Sequence, residues 1–218
     1  MITDAPGDWM TAVKLVTKLH EAVLAELLAE IVRGDHEEGA KLPKEQVLAD
    51  RYGVSRYVAR QAIQALRDRG LVAVTHGVGA FVAPRHRWNL FDPVLLEAML
   101  DGPDAKAARA EGVECAALVW PEVAALTAER RTADALARLE AADDAQELRN
   151  ALAAGARNRF LGQIVSTLDG DGAPARAMTP GDPAAYADVV GAVRARDGEA
   201  ARAAMSAIVR RPSGSRRR

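Results

Sequence analysis

The stretch PKEQVLADRYGVSRYVARQAIQALRDRGLVAVTHGVGAFV, residues 43–82, constrains the fold of this chain more than any other. It reads as a helix, a tight corner, a second helix and a β-hairpin. The spacing predicts a short helix from Lys44 to Tyr52, with Val47 and Leu48 on its buried face. Gly53 and Val54 supply the corner. Ser55 is placed to cap the second helix, because a serine hydroxyl accepts one of the free backbone N–H groups at a helix start. That helix runs to about Arg69, with Val58, Ala62, Ile63 and Leu66 at helical spacing. Gly70 ends it. Val72 to Thr75 and Ala80 to Val82 are two β-prone runs. His76-Gly77-Val78-Gly79 joins them, and its two glycines permit a tight turn.

A helix-turn-helix with a wing behind it is a device for reading DNA. Arg56, Tyr57 and Arg60 cluster at the start of the second helix, the end that meets base edges in the major groove. Lys44 and Gln46 are candidates from the preceding helix, Ser55 from the corner, and His76 and Gly77 from the wing tip. A tip with a bare glycine backbone can come close to phosphates or the minor groove. The charge agrees. From Lys41 to Arg87 there are nine Lys/Arg (41, 44, 51, 56, 60, 67, 69, 85, 87) against three acids, Glu45, Asp50 and Asp68. The whole chain has a formal charge of −1, so this is a basic module in a neutral protein, which points to phosphate binding.

The chain has 218 residues, enough for two modest domains with cores of their own. Hydrophobic residues make up 49% but aromatics only 4%, so the core is mostly Ala, Leu and Val, which favours helices packed through small side chains. Cys115 is the one cysteine, so no intramolecular disulfide can form, and a cytoplasmic setting is expected. MITDAPGDWM lacks a basic region followed by an apolar run and is not read as a signal peptide. No apolar stretch approaches the ~20 residues that span a bilayer.

The expected organisation is mostly α. A flexible tail occupies 1–12, and a winged helix-turn-helix domain occupies 13–83. Its first helix, 13–33, carries Val16, Leu19, Val23, Leu24, Leu27, Leu28 and Ile31 on one apolar face. Pro84, Arg85-His86-Arg87 and Pro93 mark a linker over 84–93. An all-α bundle of about six helices comes next over 94–211, with segments at 94–100, 105–129, 133–141, 144–168, 183–195 and 198–211. Pro121 is either a kink or a helix start. Residues 212–218 form a basic tail.

GAKLPKEQVLADRYGVSRYVARQAIQALRDRGLVAVTHGVGAFV resembles the winged-helix domain of GntR-family bacterial transcription regulators. Gly39, Leu42-Pro43, Glu45, Leu48-Ala49, Gly53-Val54-Ser55-Arg56, Arg60, Ala62, Leu66, Gly70-Leu71-Val72 and Gly79 carry the likeness. Gln46 stands where the family usually has Arg, and Tyr57-Val58 where it usually has Thr-Pro, which implies a different operator. WNLFDPVLLEAM, WPEVAALTAERRTADALARLE, ALAAGARNRFLGQIV and YADVVGAVRARDGEAARAAMSAIVRR are similar to the all-helical sensor domain of the FadR-type branch. The resemblance implies a homodimer on double-stranded DNA, more often repressor than activator, reading a short inverted repeat and released by a small-molecule effector.

Members of that branch often hold a divalent metal with one Asp and three His. Those positions fall here on Ala145, Arg149, Tyr186 and Ile208. An Arg that commonly meets an acidic effector falls on Ala116, and a nearby Glu on Trp120. The four histidines are 20, 36, 76 and 86, so the helical domain contains none, and no metal or other cofactor is expected. Three outcomes fit these residues. Arg149 is an exposed helix residue paired with Asp144 or Glu147, with Trp120, Tyr186 and Ile208 filling the old cavity. Or Arg149 and Tyr186 receive a carboxylate or phosphate in place of the metal. Or an apolar ligand lies near Trp120 and Tyr186.

Catalysis is not expected. Cys115 has no histidine near it in sequence, and every histidine lies in the DNA-binding half or its linker. The remaining alternative is an effector-independent architectural or plasmid-maintenance DNA-binding protein.

Overall fold

A computed structural model describes residues 8–169, 173 and 181–209, with side chains from residue 18 onward. The basic tail and Trp9, whose side chain precedes that point, lie outside this description. The chain divides into two compact units, one ending at Pro103 and the other starting at Asp104.

The first unit opens with α1, Asp8–Arg33, so helix already occupies residues 8–12, where a tail was expected. Val23, Leu24, Leu27, Leu28, Ile31 and Val32 bury one face of α1, while Leu19 stays largely exposed. α2 (Glu45–Tyr52) and α3 (Arg56–Asp68) pack together, and α3 lies on α1. α2 ends at Gly53, whose φ of +63° makes the corner. Leu48 is buried as expected, but Val47 is 53% exposed; α2 spans only two turns, and Ala49 joins Leu48 on its buried face. β1 (Val72–Thr75) and β2 (Gly79–Val82) form an antiparallel hairpin in the register Val72↔Val82 and Thr75↔Gly79. Lys41 bridges Phe81 on the outer edge of β2.

The segment after the wing is not a loose linker. It forms a short 3-10 turn, Arg85–Arg87, and then buries Trp88, whose Nε1 donates to the Ala83 carbonyl (3.1 Å). Asn89 N–H donates to the Arg69 carbonyl (2.9 Å). α4 (Pro93–Asp101) is capped by Asp92 and was expected to open the helical bundle. It packs on α1 instead and adds Leu95 to the core of the first unit. An apolar stripe shows that a helix buries a face, not which neighbour it buries against.

The second unit is all-helical among its described residues: α5 (Ala105–Arg130), α6 (Ala133–Glu140), α7 (Ala145–Gly155), α8 (Arg159–Asp169), a 3-10 turn (Pro183–Tyr186), α9 (Ala187–Ala195) and α10 (Gly198–Val209). Pro121 lies inside α5 and does not start a helix. α10 packs along α5, where Ala116, Ala124, Ala125 and Ala128 are fully buried, so small residues set the close approach. Thr127 Oγ1 lies 2.7 Å from the carbonyls of both Val123 and Leu152, joining α5 to α7. The helix expected over 144–168 is two. Arg157 takes a left-handed φ of +49°, and Asn158 Oδ1 accepts the N–H groups of Phe160 and Leu161 to begin α8. The bundle has six described helices because it loses α4 and gains this break.

Candidate nucleic-acid interface

Ser55 precedes α3 in extended conformation, and its Oγ accepts the Val58 N–H at 3.3 Å. α3 buries Val58, Ala59, Ala62, Ile63 and Leu66. The opposite side of its first turns leaves Arg56, Tyr57 and Arg60 exposed, with no acid in the first turn to offset the positive end of the helix. The Arg60 guanidinium stacks over the Tyr57 ring, 5.5 Å from its centre. Arg56 Nε donates to Glu45 Oε2 of α2 at 3.1 Å. Gln46, also exposed, donates from Nε2 to Asp50 at 2.9 Å. Lys44 is exposed at the N-cap of α2. The exposed candidates are thus held as separate pairs: Arg56 across the corner by Glu45, Gln46 within α2 by Asp50, and Arg60 within α3 by Tyr57. His76 and Gly77 lie exposed on the separate turn between the wing strands.

Glu30 of α1 anchors the end of α2. It is buried on α1 and accepts from Arg51 (Nη1 at 3.1 Å and, more closely, Nη2), from the Tyr52 hydroxyl at 3.2 Å, and contacts His36 Nε2 at 3.1 Å. Burial by itself would raise its pKa. The Arg51 and His36 hydrogen bonds overcome that and hold the carboxyl below its ordinary value. Burial and the Glu30 charge push the Tyr52 phenol up to about 12.

Sequence reasoning counted Lys41 only as charge. Its bridge to Phe81 puts it on the wing, with the ammonium 5.8 Å from the Phe81 ring centre. Its position beside Pro43 at the edge of the basic stretch was the available signal. The link between Glu45 and Arg56 was not legible, because the two stand eleven residues apart across the corner.

In the second unit, Ala145, Arg149, Tyr186, Ile208, Ala116 and Trp120 are all buried. Arg149 is not the exposed residue one alternative required. Its Nε donates to Asp169 at the end of α8, Nη1 to the Tyr186 hydroxyl at 3.2 Å, and Nη2 to Gln146 at 2.8 Å. Burial alone would lower the guanidinium pKa, but the Tyr186 hydrogen bond and the Asp169 charge raise it instead. Asp144, the expected partner, caps α7 by accepting the Glu147 N–H at 2.8 Å. Glu147 accepts the Asp143 N–H at 3.2 Å. Trp120 Nε1 is buried with no hydrogen-bond partner among the described residues. Arg149 and Tyr186 are thus brought together, in a polar cluster rather than an apolar pocket.

A winged helix-turn-helix with an exposed basic second helix is an arrangement of the kind found in DNA-binding proteins. Residues 19–82 match the family of bacterial regulatory proteins known as gntR. Residues 19–82 therefore carry a domain of the gntR type. It is 32% identical over 122 residues to the galactonate operon transcriptional repressor of Escherichia coli K12, covering 56% of this chain and 53% of that protein. It is 41% identical over 75 residues to the uncharacterized HTH-type transcriptional regulator YieP of the same organism, covering 34% of this chain and 33% of that one. The chain thus spans about half, or less, of the length of these relatives. A solved GntR protein of Streptococcus agalactiae covers 87% of this chain and 97% of its own at 23% identity, with a TM-score of only 0.41. No described helix is long and apolar enough to cross a membrane.

Proposed function

We propose that this protein is a cytoplasmic transcription regulator, in the sense of a repressor, that binds a short inverted repeat as a homodimer. The exposed cluster Arg56, Tyr57 and Arg60 on α3 carries this reading, with Lys44 and Gln46 beside it, Ser55 fixing the start of the helix, and His76 and Gly77 on the wing. The likeness to a galactonate operon repressor supports repression. A palindromic site needs a two-fold protein, and the Ala-rich helical unit is the natural place for that contact.

The helical unit is also the proposed seat of sensing, without metal. The positions that the FadR-type resemblance assigns to metal ligands hold two aliphatic residues, a phenol and a guanidinium. This set does not fit a divalent cation, since the only charged member, Arg149, is itself cationic and is paired with Asp169. Among the described residues no group of three His, Cys, Asp or Glu could hold a metal. A small metabolite would instead depend on Trp120, Arg149 and Tyr186.

Footprinting on the promoter regions beside its own gene tests the reading. One or a few protected inverted repeats, released by a neighbouring metabolite, are expected. Uniform coverage of the DNA would overturn regulation in favour of an architectural role. A monomer by analytical ultracentrifugation on the protected site would overturn the dimer.

A further inference from the structure

The basic module carries acids on its exposed side, which is costly beside phosphates unless they have work to do. We infer that Glu45 is a positioning residue for sequence choice: it holds the Arg56 guanidinium by Nε so that its two terminal nitrogens face the DNA as a fixed pair. The inference rests on the proposed DNA reading and goes further, by naming which residue sets base discrimination without touching a base.

The geometry is specific. Glu45 Oε2 accepts from Arg56 Nε, the inner nitrogen of the fork, at 3.1 Å. Nη1 and Nη2 have no partner among the described residues, and the Arg56 side chain is 71% exposed against 29% for Glu45. A guanidinium gripped at Nε keeps the two parallel N–H donors that match a bidentate acceptor such as a purine edge. Held in advance, it loses less rotamer entropy on binding. In free protein an exposed pair of this kind contributes little. On DNA, where water is displaced, the orientation governs discrimination. The same face repeats the pattern, with Gln46 tied to Asp50 and Arg60 stacked on Tyr57. Two of the three acids between Lys41 and Arg87 are thus spent on orienting candidate DNA contacts.

Glu45 also sits in the first turn of α2, where the helix dipole favours an acid. That role would support folding but not base choice, and the experiment separates the two. The full chain is used to select duplexes from a random library. Anisotropy then compares the selected duplex, its single base-pair variants and an unrelated duplex of equal length. Glu45→Ala should lose roughly five- to tenfold in discrimination at the base pair that Arg56→Ala also relaxes. Its affinity for the unrelated duplex should hold or rise, since a negative charge has gone. Glu45→Gln keeps an acceptor for Nε and should keep most of the discrimination. In the Arg56→Ala background, Glu45→Ala should have no further effect on base choice. Equal weakening on all duplexes, unchanged discrimination, or an additive loss in the double variant would overturn the inference while leaving regulation intact. Failure of the wild-type protein to select any sequence would overturn both.

Discussion

Three glycines separate backbone strain from steric approach, and Gly70 is the informative one. It follows α3 with a φ of +76°, and a β-carbon there would lie 2.2 Å from the Arg87 carbonyl oxygen. That carbonyl belongs to the segment that carries buried Trp88 back against the end of α3. Gly53 has a similar φ, +63°, but nothing within 4 Å of its missing β-carbon. Gly162, inside α8, has neither feature. A left-handed residue other than glycine costs roughly 1–2 kcal/mol. Reduced freedom of the unfolded chain returns about 0.4–1 kcal/mol, so Gly53→Ala should cost about 1 kcal/mol. Gly70→Ala adds a backbone displacement, and forced overpacking of this kind costs about 1–3 kcal/mol more. Gly162→Ala should stabilise its helix by about 0.5–1 kcal/mol. Amide exchange by mass spectrometry, on peptides from the middle of α3 and of α8, reads each unit separately in the intact chain. If Gly70→Ala costs no more than Gly53→Ala, the close approach of Arg87 does not hold the segment in place and the reasoning fails.

Arg56→Ala and Arg60→Ala should each weaken binding to a selected operator by about 1–3 kcal/mol in anisotropy, with no change in melting temperature. Binding should also fall steeply with added salt. Glu30, whose carboxyl is held below its ordinary pKa of 4.5, stabilises the first unit fully above that value and loses its contribution as pH falls through the lowered one. Glu30→Gln should therefore narrow its stability deficit in acid, and a deficit constant from pH 7 to pH 3 in thermal melts would contradict this. Chelator should leave both melting temperature and DNA affinity unchanged. One equivalent of tightly held metal in the second unit, by elemental analysis of tag-free protein, would show that Arg149 does not exclude a cation.

The winged domain was legible because its chemistry is local. Ser55 caps within three residues, Gly53 makes the corner alone, and the wing turn lies between adjacent runs. What escaped was set at longer range. Nothing near α4 says whether Leu95 goes to α1 or to the bundle. The Arg157-Asn158 break sits in a sequence whose apolar spacing continues straight through it. Arg149 was matched with Asp144 or Glu147 because they are near in sequence. Its partner, Asp169, lies twenty residues away on the next helix. Fold class is fixed by periodicity, but the identity of a buried ion pair depends on which helix ends converge.

The wing is braced unevenly. At its base, Leu42 N–H donates to the Ala80 carbonyl and Val82 N–H to the Ala40 carbonyl, both at 2.9 Å, so the isolated bridge at Lys41 backs the hairpin there. Toward the tip the described backbone hydrogen bonds run between β1 and β2, and Val74 and Val78 are about half exposed. α3, by contrast, is seated on fully buried Ala59, Ala62 and Leu66. The proposed DNA reader thus has one stiff probe and one compliant one. A stiff probe imposes its geometry and tests base pairs individually. A compliant one tracks the local width of the groove, so sequence under the wing would be tolerated in proportion to how easily that stretch of duplex takes the shape the tip can reach.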